Sequence, residues 1–242
     1  MIVNADDFGY SPAVNAGVLE ALAQGLVTRA TVMANMPGFE EACELAHRQG
    51  FDSQIGIHVN LVEGTPLTDR IRSNRHLCDT DGQFLRPQSL GLRGWLSASE
   101  RRAVAAEVVA QVQRCRTHGL SVGHLDSHRH VHTQPSLAGL FIGLSRNLRI
   151  ETMRIARNCG PSPFLNSLYK NVYNLRLRAH GLAASRYLGG ADDLKVFLGA
   201  GATPMQLASF ELVTHPMMRQ DGEVVDVERP SVPFSESLSR LI

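Results

Sequence analysis

The chain has 242 residues, 24 Lys+Arg against 23 Asp+Glu, and is 43% hydrophobic. That length and balance fit one folded domain with a full core and argue against a nucleic-acid or polyanion binder driven by bulk charge. The surplus lies in histidine: ten in all, four of them between His124 and His132.

The four cysteines, Cys43, Cys78, Cys115 and Cys159, are widely spaced and form no CxxC pattern, so they read as reduced thiols. No basic leader precedes Ile2, and no uncharged apolar run approaches the roughly 20 residues of a membrane span. A soluble, cytoplasmic protein without a membrane span is expected.

Ile2 to Ala5 reads as a short buried strand. Ser11-Pro12 supplies an N-cap and a proline suited to the first helical position, and Val14, Val18, Leu19 and Leu22 follow at helical spacing up to Gly25. Val27 to Ala34 reads as a second strand, residues 39–48 as a helix closed by Gly50, and Ile55 to Leu61 as a third strand. Residues 62–96 show no sustained period and are expected to form a long loop or lid. Ser97-Ala98-Ser99-Glu100 is a capping-box pattern opening a helix to about Arg116. Val122 to Asp126 is a strand, Pro135 to Asn147 a helix and Thr152 to Ala156 a strand. After Pro161 and Pro163 a helical run covers Phe164 to His180; its Lys170, Arg176 and Arg178 form a solvated face or a surface for an anionic partner. Phe210 to Thr214 is the last clear strand. This alternation predicts βα units around a parallel sheet or barrel, in one domain over residues 1–242.

Polar clusters stand at the C-terminal ends of these strands, where parallel α/β folds build their sites. They are Asn4-Ala5-Asp6-Asp7, His58-Val59-Asn60, the run His124 to His132, and Glu211 to Pro216. Adjacent carboxylates such as Asp6 and Asp7 repel unless a cation or hydrogen-bond donors separate their roles; the alternative is that they cap the helix or the turn at Gly9. A lone His58 would read as a core histidine, but its companions argue for a shared site. Asp126, His128, His130 and His132 share strand parity, so a continued strand would turn them to one face. Same-face neighbours are about 7 Å apart and zinc–imidazole bonds about 2 Å, so one ion takes only one or two of them. An Asp-His-His set leaves positions open for water and substrate and suits zinc, iron, cobalt or manganese better than magnesium. His215, on another strand, is placed to protonate a leaving group.

The segments NADDFG at 4–9, GIH at 56–58, HLDSHRHVH at 124–132 and HP at 215–216 resemble the YdjC-like carbohydrate deacetylases (ChbG/HpnK group). The resemblance runs from residue 2 to about residue 216. It implies a distorted or incomplete TIM-type (β/α) barrel that removes acetyl groups from N-acetylated sugars with one divalent cation, Mg2+ or Zn2+, with Mn2+ or Co2+ as alternatives. Carried over by position, Asp7, His58 and His128 would hold the metal, Asp6 would be the general base and His215 the general acid. Arg154 falls where the family keeps an arginine near the site, to tune Asp6 or hold substrate. Asn4, Asn60, Asp126, His130 and His132 are candidates for substrate contact or support of the ligands. Arg129 replaces the middle of three histidines in the family and leaves His128 in place. Residues 160–200 are expected as a helical insertion near the mouth, and with the 62–96 loop would set the sugar and chain length. The chain stops at Leu241-Ile242, earlier than expected of the family, so closure of the barrel would be incomplete or completed by a partner; a homo-oligomer, a homodimer, is expected. Competing readings are another metal-dependent hydrolase or lyase on the same scaffold, disfavoured by the lack of a glycine-rich phosphate cradle, and a non-catalytic metal-containing binding protein.

Overall fold

The computed structural model describes residues 1–85, 96–239 and 241. Seven strands form one parallel sheet: β1 (Ile2–Phe8), β2 (Arg29–Val32), β3 (Ile55–Val59), β4 (His124–Ser127), β5 (Thr152–Met153), β6 (Tyr187–Gly189) and β7 (Phe210–Thr214). Their order, β5-β4-β3-β2-β1-β7-β6, is the cyclic order of a (β/α) barrel opened between β5 and β6. At that seam a parallel bridge joins Met153 to Ala183. The fold is therefore the expected distorted, incomplete barrel.

The helices are α1 (Pro12–Ala23), α2 (Phe39–Gln49), α3 (Asp69–Arg72), α4 (Ala98–Thr117), α5 (Pro135–Asn147), α6 (Phe164–Ala179), α7 (Ala191–Gly199), α8 (Pro204–Ala208) and α9 (Phe234–Ser239). Among the described residues none is long and apolar enough to cross a membrane. Their starts follow the local chemistry. The Ser11 hydroxyl accepts from the Val14 amide with Pro12 at the first turn, and Ser97 and Glu100 complete a reciprocal capping box. Gly50, at φ 73°, closes α2 in the left-handed conformation that glycine adopts without strain. A small antiparallel sheet of β8 (Pro216–Met218), β9 (Val224–Asp226) and β10 (Arg229–Pro233) follows β7.

Strand residues divide by parity. Val3, Ala5, Ala30, Val32, Ile55, Ile57, Leu125, Phe210 and Leu212 join the helices' Val18, Leu22, Ala42, Val108 and Phe141 in one apolar core. The other parity turns Asn4, Asp6, Arg29, Thr31, His58, Asp126 and Glu211 toward one another. The barrel interior is polar and its outside is the greasy layer.

Some expectations shift. β1 runs on through Asp7 to Phe8, whereas β2 and β5 are shorter than their apolar runs. Residues 160–200 hold the sheet strand β6 between α6 and α7, not helix alone; a three-residue strand shows no alternation to read. Residues 86–95 of the expected 62–96 loop lie outside the described residues, and α3 falls within the remainder.

A Cβ added at Gly17, on α1, would lie 2.6 Å from the Met217 backbone, whereas one at Gly139, on α5, meets nothing within 4 Å. Gly17→Ala is expected to destabilise the protein by about 1–3 kcal/mol through overpacking. Gly139→Ala is expected to stabilise by up to about 1 kcal/mol. Urea midpoints of the two variants check the contrast.

Candidate active site

The adjacent carboxylates of β1 part company. Asp7 adopts φ 64°, a left-handed conformation uncommon for a non-glycine residue. Its Oδ1 lies 2.8 Å from His128 Nδ1 and 3.2 Å from His58 Nε2. One donor atom each from Asp7, His58 and His128 falls within 4.8 Å of the other two. His58 Nδ1 donates to Asp126 Oδ1 at 2.6 Å, and Thr31 Oγ1 donates to Asp126 Oδ2 at 3.1 Å. The His58 ring is thereby fixed with Nε2 aimed at Asp7, the carboxylate–imidazole arrangement that orients metal-binding histidines. His128 Nε2 is buried without a hydrogen-bond partner among the described residues; Glu63 Oε1 stands 3.5 Å away.

Asp6 faces the other way, into a fully buried guanidinium. Arg154 donates to Asp6 Oδ2 at 2.7 Å and to Oδ1 at 2.6 Å, and to Glu211 Oε1 at 2.7 Å. It also lies 2.6 Å from Asp126 Oδ2. Asn4 Nδ2 adds a donor to Asp6 Oδ1, and Arg29 pairs with Glu211. Burial works against the charged form of Asp6, but Arg154, with His58, overrides it and holds the carboxyl well below the usual range. Glu211 is likewise held low by Arg154 and Arg29 against its own burial. His58 is pushed up to about 10: burial opposes its charge, and Asp126 and Asp6 outweigh burial.

The histidine run departs from the shared-parity expectation. β4 ends at Ser127, and residues 128–133 form a tight turn with Arg129 and His130 at φ 51° and 53°. The alternation stops where the strand does, so only His128 joins Asp7 and His58. His132 is wholly buried; its Nδ1 accepts from the Ser127 hydroxyl and its Nε2 donates to the Arg154 carbonyl. It supports Arg154 from behind. His124 lies at the opposite end of β4, its ring over Gly56, where no larger residue would fit. His130 and His215 line a cavity shared with Arg157, Gly189, Asp192 and Arg229. Both have a buried, unpartnered Nδ1, and burial, then Arg154, pushes His130 down to about 4. His215 is otherwise tethered through its backbone, which donates to Asp226 Oδ2 at 3.1 Å.

Asn60 does not face this cluster. Its amide donates to Asn35 and to the Glu63 carbonyl, and its Oδ1 accepts from the Val62 and Glu63 amides. It shapes the loop that carries Glu63, whose carboxylate meets Tyr10 and Arg129 at the mouth. Glu63, Thr31 and Arg29 escaped sequence reasoning as site residues. Glu211 stands at the head of the last polar strand-end cluster, but no role for it is read there.

The family described as YdjC-like protein matches residues 1–233. The chain belongs to the YdjC-like family. A carbohydrate deacetylase of Halalkalibacterium halodurans is 38% identical over 232 residues, 93% of this chain and 90% of the relative. A carbohydrate deacetylase of Geobacillus stearothermophilus is 36% identical over 218 residues, 89% of this chain and 78% of that one. The match to a Brevibacillus brevis carbohydrate deacetylase, 39% identical, spans 62% of this chain and 57% of the relative's length. Among solved structures, an Enterococcus faecalis V583 chain described as a cellobiose-phosphate cleavage protein superposes with a TM-score of 0.73 at 24% identity, covering 99% of this chain and 89% of that one. At that identity it speaks for the fold alone.

These YdjC-like interior groups set the acid–base behaviour of the metal-free protein. His130, with His124 and His132, is held neutral by burial. The stability from these lowered values is present above the unfolded value 6.5 and is lost as pH falls through the native ones. Asp6 and Glu211, also lowered, add a further loss below the ordinary carboxylate values 3.8 and 4.5. His58, raised to about 10, contributes fully below 6.5 and is lost as pH rises toward 10. Metal-free stability is therefore expected to peak near pH 6.5. In urea titrations from pH 4 to pH 10, His130→Gln should flatten the acid limb and Asp126→Asn the alkaline one; unchanged limbs would refute the assignments.

Proposed function

We propose that this chain is a divalent-metal-dependent carbohydrate N-deacetylase, which hydrolyses the acetamide of an N-acetylated sugar or oligosaccharide to acetate and the free amine. The observation that carries the reading is the convergence of Asp7 Oδ1, His58 Nε2 and His128 beside the buried Asp6–Arg154 pair, in a family whose relatives include named carbohydrate deacetylases.

The donor set fits a cation on physical grounds. Four carboxylates, Asp6, Asp7, Asp126 and Glu211, are matched by two guanidiniums, Arg29 and Arg154, and by the His58 imidazolium, which leaves negative charge in excess. A buried excess of negative charge is costly unless a cation or proton neutralises it. The unpartnered His128 Nε2 and the carboxylate-oriented His58 ring point to the same conclusion. Asp7, His58 and His128 would hold the ion, and one carboxylate with two imidazoles suits Zn2+, Co2+ or Mn2+, with Mg2+ as the harder alternative. When bound, the ion polarises the acetamide carbonyl and stabilises the oxyanion that forms on attack.

The chain's own groups then handle the protons. Asp6 Oδ1 is taken by Asn4 and Arg154, and Oδ2 by a single Arg154 nitrogen. A lone pair on Oδ2 is left to accept the proton of the attacking water. Arg154 keeps this carboxylate ionised at neutral pH, so it is always available as acceptor, although a weak one. His215, immediately after the strand β7 that neighbours β1, gives a proton to nitrogen as the C–N bond breaks; an unprotonated amine is a poor leaving group. His130 and His215 share the cavity in which the sugar would sit, next to Gly189 and Asp192.

Acetate release from N-acetylated mono- and oligosaccharides, measured with metal-stripped protein refilled by Zn2+, Mn2+, Co2+ or Mg2+, tests the activity; no release from any substrate with any ion overturns it. Asp6→Asn and His215→Ala are each expected to retain metal and lose about 10²–10⁴ in turnover. His128→Ala is expected to lose the metal, and Asp126→Asn to weaken its binding by about 10- to 100-fold by calorimetry. Full turnover by Asp6→Asn with verified metal content would remove Asp6 from the role of base.

A further inference from the structure

A second convergence of ligand atoms involves none of Asp7, His58 and His128. One ring nitrogen of His215 and one carboxylate oxygen each from Asp226 and Glu228 fall within 4.8 Å of one another. The local chain explains the meeting. Strands β8 and β9 pair antiparallel with Pro216 opposite Asp226, and β10 returns with Arg229 opposite Asp226, so Val227 and Glu228 form the tip of a hairpin. That tip is clamped to His215 at two points: the His215 N–H donates to Asp226 Oδ2 at 3.1 Å, and the His215 carbonyl accepts from the Val227 N–H at 2.9 Å. Asp226 Oδ1 accepts from the Glu228 N–H at 2.9 Å. Glu228 also borders the cavity that His130 and His215 line.

The set has unmet demands that a cation answers. His215 Nδ1 is buried with no hydrogen-bond partner among the described residues, and a buried ring nitrogen left unpaired costs free energy that a ligand recovers. Asp226 is only 9% exposed, yet neither it nor Glu228 forms an ion pair among the described residues. The guanidiniums on the same cavity wall are engaged elsewhere, Arg157 by Asp193 and Arg229 by Asp192. The two amide donors to Asp226 leave a free lone pair on each of its oxygens. We propose that His215, Asp226 and Glu228 form a second, inhibitory site for a divalent transition-metal ion. One imidazole with two carboxylates suits Zn2+ or Co2+ better than Mg2+. Glu228 is exposed and must be ordered on binding, so this site fills after the Asp7–His58–His128 site. Binding to the ring displaces the imidazolium proton to solvent. The N–H that remains on a metal-bound imidazole is a far weaker acid than imidazolium, so the leaving amine loses its proton donor. The inhibitory half of the proposal rests on the role given to His215 above; the binding half does not.

Metal-stripped full-length chain dialysed against Zn2+ is expected to take up two ions, the second more weakly than the first. Glu228→Gln, a change at an exposed side chain, should keep the first ion and weaken the second at least about 10-fold, with an unchanged circular dichroism spectrum. His128→Ala should lose the first ion and keep the second. In histidine-selective 15N spectra, the ring signals of His58 and His128 should move with the first equivalent and that of His215 with the second. Acetate release by the wild type should fall at least about 10-fold between one equivalent and excess Zn2+, as expected when a general acid is withdrawn. The activity of Glu228→Gln should not respond to the same excess. Uptake of a single ion by the wild type overturns the site, as does a second ion that binds Glu228→Gln equally well or leaves the His215 signal in place. Two ions with no loss of activity overturn the inhibitory role. Absence of acetate release at one equivalent counts against the proposed reaction, whereas stoichiometry and the His215 signal decide the site.

Discussion

Arg154 is the group around which the barrel interior is organised. A guanidinium with no access to water is tolerated only when every face of it is matched, because the desolvation cost of an isolated ion is several kcal/mol or more. Here Asp6 comes from β1, Asp126 from β4 and Glu211 from β7, so one cation ties together strands from three parts of the sheet. His132 grips its carbonyl. Removing any one of these partners leaves charge stranded in a dry interior, and the strand ends that carry Asp7 and His58 are held in place by the same contacts.

That constraint decides how two neighbouring aspartates do different things. Asp6 keeps the strand's parity and enters the arginine network. Asp7 would point to the apolar outside if β1 continued in regular extended geometry, and its φ of 64° swings it back to the edge where His58 and His128 stand. Strain of this kind persists only where the surroundings over-determine it. Arg129 and His130 carry the same left-handed signature on the facing turn. Both sides of the converging cluster are therefore shaped by uncommon backbone.

Much of the architecture was legible because it obeys a period. α5 at Pro135–Asn147 and β7 at Phe210–Thr214 fall at the expected bounds, and the Ser11-Pro12 and Ser97–Glu100 caps form as the spacing implies. The motif residues Asp7, His58 and His128 do converge. What could not be read has no period to reveal it. The three-residue β6 is specified by neighbours far off in sequence. Glu63 reaches the site only because Asn60 folds the loop between them. His132 kept the right residue type and the right parity, yet went to the core, because parity is meaningful only while the strand lasts, and β4 ends at Ser127.

The open seam shows how side chains can stand in for a strand. Met153 pairs with the backbone on either side of Ala183, but past it the ladder between β5 and β6 lapses. Ala156 instead donates its N–H to the Asn174 amide oxygen at 2.7 Å and accepts from its nitrogen at 3.0 Å. Farther on, Asn158 bridges the Leu188 amide and the Arg186 carbonyl in the same way. A primary amide carries the donor and acceptor of a peptide group in similar geometry, so two asparagines satisfy backbone groups that a continuous strand would otherwise pair. The break is then no weakness: it lets the chain leave the sheet immediately after Arg154, which places that side chain at the barrel's centre while α6 closes the wall behind it.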